Sequence, residues 1–334
     1  MQTSYRELLR AFDKQKSYVL ACIVSTRGAS YQKAGAMMLI TEQGRCYGLL
    51  SGGCLEADIA LHAKHVFSTA EPKLLHYDLK GEEAVLWGLG AGCEGEVELV
   101  LQLINPANAF LYFDRVLAAL SGGGQGCYKL SLCTNKAEYV EAQQAECEDT
   151  IAQNTHKELL DQRQDKTQNN TLCIPVEAAP LVVIVGAGPD VDALITMIEQ
   201  LAWRVRVCDH REAQLQRFSS KFETVCSTAL CEHSLSGASA IVIMSHNLAR
   251  DQQALALALA SSLNYIGLLG PEQRKQKLLK ALGLTNKAQD KRLHGPIGLD
   301  LGGRGPEAIA LSICAELQLF FSSSQKEKAL AYLC

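Results

Sequence analysis

No Cys-x-x-Cys pair occurs in the 334 residues, although the chain holds 13 cysteines. The closest spacings, Cys127 with Cys133 and Cys226 with Cys231, are unlike those of zinc sites. An odd number of cysteines scattered over a large chain is no disulfide framework either, so most are expected to be reduced thiols filling apolar space. Long apolar runs are also missing. Residues 1–16 are interrupted by Arg6, Glu7, Arg10, Asp13, Lys14 and Lys16, which excludes a signal-peptide core. The richest later run, residues 254–270, carries Ser261, Ser262 and Asn264 and is shorter than a membrane span. With 32 basic against 36 acidic residues and a net charge of -4, there is no basic stripe to neutralise a nucleic-acid backbone. The expectation is a cytoplasmic protein with no membrane and no nucleic-acid partner, and no internal repeat is visible.

What is present suits two domains: the chain is too long for one ordinary core, and 48% of it is hydrophobic. Residues 1–16 read as a short amphipathic helix with Leu8, Leu9 and Phe12 on one side. Residues 17–25, 36–41 and 46–50 read as strands, with Glu42-Gln43-Gly44 turning between the last two. Leu55, Ile59, Ala63, Val66 and Phe67 then recur at helical spacing, and residues 96–103 alternate acidic and apolar as a half-buried strand does. From Glu138 to Asn170 the composition turns to Gln, Glu, Asp, Lys and Asn, that of an exposed or poorly ordered insertion. Apolar strand-like runs resume at Leu181. The chain divides into residues 1–105, a variable connecting region 106–178, and residues 179–334.

The last part carries the clearest pattern. Leu181–Val185 is a β-branched run suited to a parallel strand buried on both faces. Gly186-Ala187-Gly188 follows, then Val191, Leu194, Ile195 and Ile198 at helical spacing, then a strand over residues 204–208 ending at Asp209. Strand, glycines, helix, strand and terminal acid in this register make a βαβ unit of Rossmann type, with the acid where a ribose hydroxyl would bind. Val191 replaces the third glycine, and Asp190 puts a carboxylate at the helix start where it would repel a pyrophosphate. Residues 240–244 and 265–268 read as further strands, the first ending at Ser245-His246-Asn247, where open α/β sheets bind ligands. Residues 297–301 read as a last strand, including Asp300. Gly302-Gly303-Arg304-Gly305 then leads into a helix with Pro306 and Glu307 in its first turn and Ile309, Ile313 and Leu317 as its buried stripe, an arrangement able to hold an anion. The fold class is α/β, a Rossmann-type parallel sheet following a separate α/β domain.

Two cysteines stand out. Ser51-Gly52-Gly53-Cys54-Leu55-Glu56 places a thiol at the start of a helix, the setting of a reactive or ligating sulfur. Gly88–Gly95 presents Cys93 inside a flexible loop that a bulky ligand can approach.

Taken together, these motifs resemble the XdhC/CoxI family, the accessory factors of xanthine dehydrogenase and related molybdenum hydroxylases. Residues 28–37, 51–56 and 87–95 look like three signatures of its first domain. Gly186-Ala187-Gly188, Asp209-His210-Arg211, Ser245-His246, residues 266–270, Gly298-Leu299-Asp300 and Pro306-Glu307 look like those of its second. Gln32 and Gly305 depart from that pattern, which leads one to expect Arg and Thr there. The resemblance implies a chaperone of the molybdenum cofactor (molybdopterin), one that supports its sulfuration by a cysteine desulfurase and delivers it to a xanthine dehydrogenase-like apoenzyme. It implies Cys54 and Cys93 as soft ligands to the metal, and Glu56, Gly186, Gly188, Asp209, Arg211, His246, Asp300, Gly302 and Arg304 as further cofactor-binding residues. No catalytic residue is assigned. A nucleotide or NAD(P) remains open as the ligand of the Rossmann half, and a homodimer is expected because a second subunit would shield the cargo. Two alternatives stand beside it: an NAD(P)-dependent oxidoreductase, for which only His246 offers a proton donor, and a nucleotide-sensing module indifferent to loss of Cys54. A thiol-disulfide or metal-storage protein is a third.

Overall fold

A computed structural model describes residues 2–79, 95–142, 170–227 and 230–331, with side chains described for 5–79, 95–142, 170–227 and 230–323. The chain forms two compact units, Met1–Ala178 and Ala179–Cys334. Among the described residues no helix is long and apolar enough to cross a membrane.

The first unit is built on an antiparallel sheet of order β3-β2-β1-β5-β4. Its strands are β1 (Tyr18–Gly28), β2 (Met37–Ile40), β3 (Cys46–Tyr47), β4 (Lys73–Asp78) and β5 (Gly95–Ile104). Residues 18–24 are all buried, which is why this central strand reads as an unbroken apolar run rather than an alternation. Helix α2 (Glu56–Thr69) lies on the sheet through Leu55, Ile59, Ala63 and Val66, packed with Val19, Ala21, Ile23, Met38, Leu99 and Leu101. Each Val, Leu, Ile and Met among these contributes about 1.5–3 kcal/mol by leaving water. Helix α1 (Gln2–Ala11) buries Tyr5 and Leu8, while Leu9 is 42% exposed. The stripe therefore steps from 5 to 8 and does not include Leu9, because adjacent helical residues point about 100° apart.

The connecting region is folded on either side of its polar stretch. Helix α3 (Phe113–Gly122) precedes a three-stranded antiparallel sheet of order β7-β6-β8, made from β6 (Gln125–Ser131), β7 (Ala137–Glu141) and β8 (Thr171–Glu177). Tyr139 is buried although it lies in the polar stretch. Most of that stretch, residues 143–169, falls outside the described residues, as do 80–94 with Cys93.

The second unit is a six-stranded sheet of order β11-β10-β9-β12-β13-β14, every pairing parallel. The strands are β9 (Leu181–Val185), β10 (Arg204–Asp209), β11 (Glu223–Cys226), β12 (Ala240–Ile243), β13 (Ile266–Leu268) and β14 (Leu293–His294). This is the Rossmann order, whose chain reverses direction across the sheet between its first and fourth strands, here β9 and β12. One face is covered by α4 (Val191–Gln200), α5 (Glu212–Ser219) and α8 (Pro306–Ala331), the other by α6 (Leu248–Ala260) and α7 (Glu272–Ala281). All five residues of β9 are buried, as a strand with helices on both faces requires. Val191 is fully buried among Ile184, Ala187 and Leu194, so the missing third glycine is filled by helix-to-strand packing.

Two expectations fail at the end of the chain. The last strand is Leu293–His294, not 297–301. After Gly295 and Pro296, the Ile297 amide bonds to Leu268 O, but Leu299 donates to Ser312 O and Gly298 to the Glu316 carboxylate. The backbone from 298 onward is satisfied by α8, so it has no ladder to join. The buried stripe of α8 is Ala310, Ile313, Cys314, Leu317 and Phe321, whereas Ile309 is 40% exposed.

Candidate functional site

The turn before α2 is organised by one carboxylate. Glu56 accepts the backbone amides of Leu50 at 2.9 Å, Ser51 at 2.8 Å and Gly53 at 3.1 Å, and the Ser51 hydroxyl at 2.5 Å. Ser51 Oγ in turn accepts the Leu55 amide at 2.7 Å. Burial works to raise the Glu56 pKa, but the Ser51 and Leu50 hydrogen bonds outweigh it and hold the carboxyl below its ordinary value. Three amides of the turn that could otherwise draw an anion are thus occupied from within. Asp58 adds a second acid in the same turn, bound by the Tyr77 hydroxyl at 2.6 Å.

This bracing leaves Cys54 exposed at the apex. Gly52 and Gly53 precede it with φ of +81° and +105°. A Cβ at Gly52 would touch the Tyr31 ring at 3.3 Å, whereas one at Gly53 would meet nothing within 4 Å. Tyr31, itself exposed, brings the 28–37 motif over the 51–56 motif. The last residue of the third motif reaches the first motif along the sheet: Gly95 pairs with Gly28, and a Cβ there would overlap Ala29 O. The first motif is therefore linked to the second through Tyr31 and Gly52 and to the described end of the third through Gly28 and Gly95.

Cysteine burial differs from expectation. Of the ten described cysteines only Cys22, Cys208 and Cys314 are buried, and burial pushes each of these thiols up to about 12. Cys46, Cys127 and Cys173 are half-buried, and Cys54, Cys133, Cys226 and Cys231 exposed. Spacing alone did not reveal this, because a thiol suits both environments. Among the described residues no cluster of three or more His, Cys, Asp or Glu side chains is placed to hold a metal ion.

In the second unit, Gly186, Ala187, Asp209 and Arg211 come together where β9 and β10 end. Gly186 has φ +119°, and a Cβ there would meet Met244 O at 2.6 Å, so this glycine allows two strand ends to approach. Asp209 accepts the Ala187 amide at 2.8 Å and is clasped by Arg211 through Nε at 3.0 Å and Nη2 at 2.8 Å. Its side chain is 2% exposed. Burial opposes the charge, yet the Arg211 bonds prevail and lower the Asp209 pKa to about 2. Both oxygens are already bound, in the position expected to receive ribose hydroxyls.

Above Gly188 the turn is closed by a second pair, Asp190 Oδ2 with His246 Nε2 at 2.8 Å. A Cβ on Gly188 would lie 2.6 Å from Asp190 Oδ1. His246 adopts φ +57° to reach it. Beside this pair, Val185, Gly186, Asp209, His210, Ser245 and Arg250 border a small open hollow. Asp300, Gly302 and Arg304 lie in the exposed loop before α8, tied to that helix by the mutual bonds of Leu299 and Ser312.

Two residues that shape this region escaped the sequence reading. Asp251, 1% exposed, accepts from Ser245 Oγ at 2.5 Å and from Arg274 Nη2 at 2.6 Å. Arg217 Nη2 donates to the carbonyls of Ala187 at 3.0 Å and Gly188 at 3.2 Å. Asp251 lies in the polar first turn of α6, among Arg250, Gln252 and Gln253, where an acid reads as exposed, so nothing local marks either residue.

Comparison with known proteins gives a consistent result across the chain. Residues 11–78 match the model of the XdhC and CoxI family, and residues 182–317 that of the XdhC Rossmann domain. A protein of Bacillus subtilis named as a probable xanthine dehydrogenase subunit is 30% identical over 320 residues, covering 91% of this chain and 93% of that one. The molybdenum cofactor insertion chaperone PaoD of Escherichia coli is 24% identical, covering 95% and 87%. A crystal structure described as a xanthine dehydrogenase from Bacillus halodurans superposes with TM-score 0.76 at 30% identity, over 96% of each chain.

Proposed function

Since the chain belongs to the XdhC and CoxI family, we propose that it is an accessory factor that binds the molybdenum cofactor, supports its sulfuration and delivers it to a xanthine dehydrogenase-like molybdenum hydroxylase. The observation that carries this reading is likeness along nearly the whole length of both relatives, one named for xanthine dehydrogenase and the other for cofactor insertion. The cofactor is cargo, and the Cys54 turn has the chemistry to receive it. A soft thiolate suits molybdenum, and the uncovered space at Gly53 leaves room for a bulky ligand. Glu56 fixes the turn in advance, so little order has to be gained on binding. A cysteine desulfurase as sulfur source, and a second copy of the chain as a shield, complete the proposal.

The oxidoreductase alternative is disfavoured by geometry. A dinucleotide bound in the usual way needs free carboxylate oxygens after the second strand and an open glycine turn for its pyrophosphate. Here Asp209 is bound by Ala187 and Arg211, and Asp190 with His246 covers Gly188.

The test is to purify the chain from cells that make the cofactor and measure molybdenum, phosphate, pterin and nucleotide, then mix it with apo-hydroxylase. The expected result is molybdenum and pterin in equal amounts, and recovery of hydroxylase activity with loaded but not with stripped chain. A chain free of pterin that binds NAD(P)H tightly would contradict the proposal.

A further inference from the structure

Outside both sites, the small sheet of the first unit brings two cysteines together. In the β6–β8 ladder Cys127 stands opposite Pro175, and Lys129 opposite Cys173. Residues directly opposite share a face, so Cys127, Lys129, Cys173 and Pro175 all lie on one side of the sheet. Tyr128, Leu130, Ile174 and Val176 line the buried side. Cys127 and Cys173 are diagonal neighbours on that face, and the ionisation of each thiol is governed first by the other. Both are half-buried, which leaves each open to a small reagent.

We propose that Cys127 and Cys173 are a redox-responsive pair that a hydroperoxide closes to a disulfide across β6 and β8. Two features set it apart from a structural staple. Diagonal positions are normally about 7–8 Å apart between Cα atoms, beyond what a disulfide spans without backbone movement, so closing the bond must draw β6 and β8 together locally. The closed form is therefore strained, and strained disulfides are the readily reduced ones. The thiols are also unequal: the neighbouring Cys127 thiol and then the Lys129 ammonium lower the Cys173 pKa, while Cys173 and burial raise that of Cys127. Lys129 itself is held by Glu138 at 3.9 Å across the β6–β7 pairing.

The chemistry balances with the peroxide as sole oxidant. The Cys173 thiolate attacks a peroxide oxygen, the O–O bond breaks, and the leaving oxygen departs as alcohol or water after taking a proton. The Cys173 sulfenic acid is then attacked by the Cys127 sulfur. The S–S bond forms, and hydroxide leaves with the Cys127 proton as water. The two sulfurs lose two electrons, which the peroxide oxygens gain, and a small thiol reverses the change.

The test uses the full, reduced chain exposed to hydrogen peroxide near neutral pH, alkylated, and mapped by peptide mass spectrometry. The expected product is a linked 127–173 peptide pair, at least tenfold more abundant than any other disulfide and reversed by dithiothreitol. In Cys127→Ser the sulfenic acid at Cys173 persists and is trapped by dimedone. In Cys173→Ser the thiol at 127 stays reduced, and in Lys129→Met linking slows several-fold. Circular dichroism of each variant confirms that the fold is retained. The proposal is overturned if Cys127 and Cys173 remain alkylatable after the exposed Cys54, Cys133, Cys226 and Cys231 have oxidised, or if both over-oxidise without linking.

Discussion

Two glycine turns, one in each unit, lead into helices, and they differ in what their neighbouring acids do. At Ser51–Glu56 the acid lies below the turn, binds its amides from inside and leaves the apex uncovered. At Gly186–Asp190 one acid binds the turn from the next strand and another covers it, with a histidine as partner. The first arrangement presents a side chain; the second closes a backbone. A glycine turn at a helix start is therefore not by itself an anion site: its carboxylates determine whether the amides remain free.

The sharpest way to break the contrast is Gly186→Ala. Its Cβ would press on Met244 O at 2.6 Å with φ at +119°. The expected cost is about 3 kcal/mol or more, from backbone displacement and left-handed strain together, read as a lower thermal midpoint of the second unit. Next is Glu56→Ala, which strips the turn of four hydrogen bonds. Buried groups left unpaired and the loss of a charged acceptor make a cost of about 2–3 kcal/mol. Because the folded pKa of Glu56 is lowered from 4.5, its contribution is present above pH 4.5 and is lost as pH falls through the lower folded value. Acid denaturation of the wild type should show this loss, and that of Glu56→Gln should not.

Gly53→Ala sharpens the comparison from the opposite side. With open space around the Cβ, only the strain of positive φ remains, about 1–2 kcal/mol. A melting shift as large as that of Gly186→Ala would show that the first turn is packed after all. The smallest effect is expected for His246→Ala. His246 is 62% exposed at the side chain, so loss of its pair with Asp190 should change stability by less than about 1 kcal/mol. Fluorescence titration of this variant with NADH tests whether the pair is the barrier: Asp209 remains clasped, so no tight binding is expected.

Much of this was legible in the sequence where periodicity and chain direction carry the information. Leu181–Val185, the glycines, the helix with Val191, Leu194, Ile195 and Ile198, and Asp209 were all readable, because each is fixed by local rules of burial and turn formation. Strand β14 and the coil at 297–301 were not. Their difference depends on whether α8 or β13 satisfies the backbone, which is a tertiary matter. The Glu56 clasp was half legible: the sequence shows an acid at a helix start, but not that its oxygens turn back onto Leu50, Ser51 and Gly53. The Asp209–Arg211 and Asp190–His246 pairs were invisible for the same reason, since the residue types also suit ligand contacts.

The most direct measurement is the molybdenum content of Cys54→Ala purified beside the wild type, with the melting curve of each. Cys54 is exposed at the apex of a turn held by Glu56, so the variant should melt within about 0.5 kcal/mol of the wild type, as surface substitutions do, and retain at least tenfold less molybdenum and pterin. Equal cofactor content in the two proteins, with folding intact, would contradict Cys54 as the ligating sulfur.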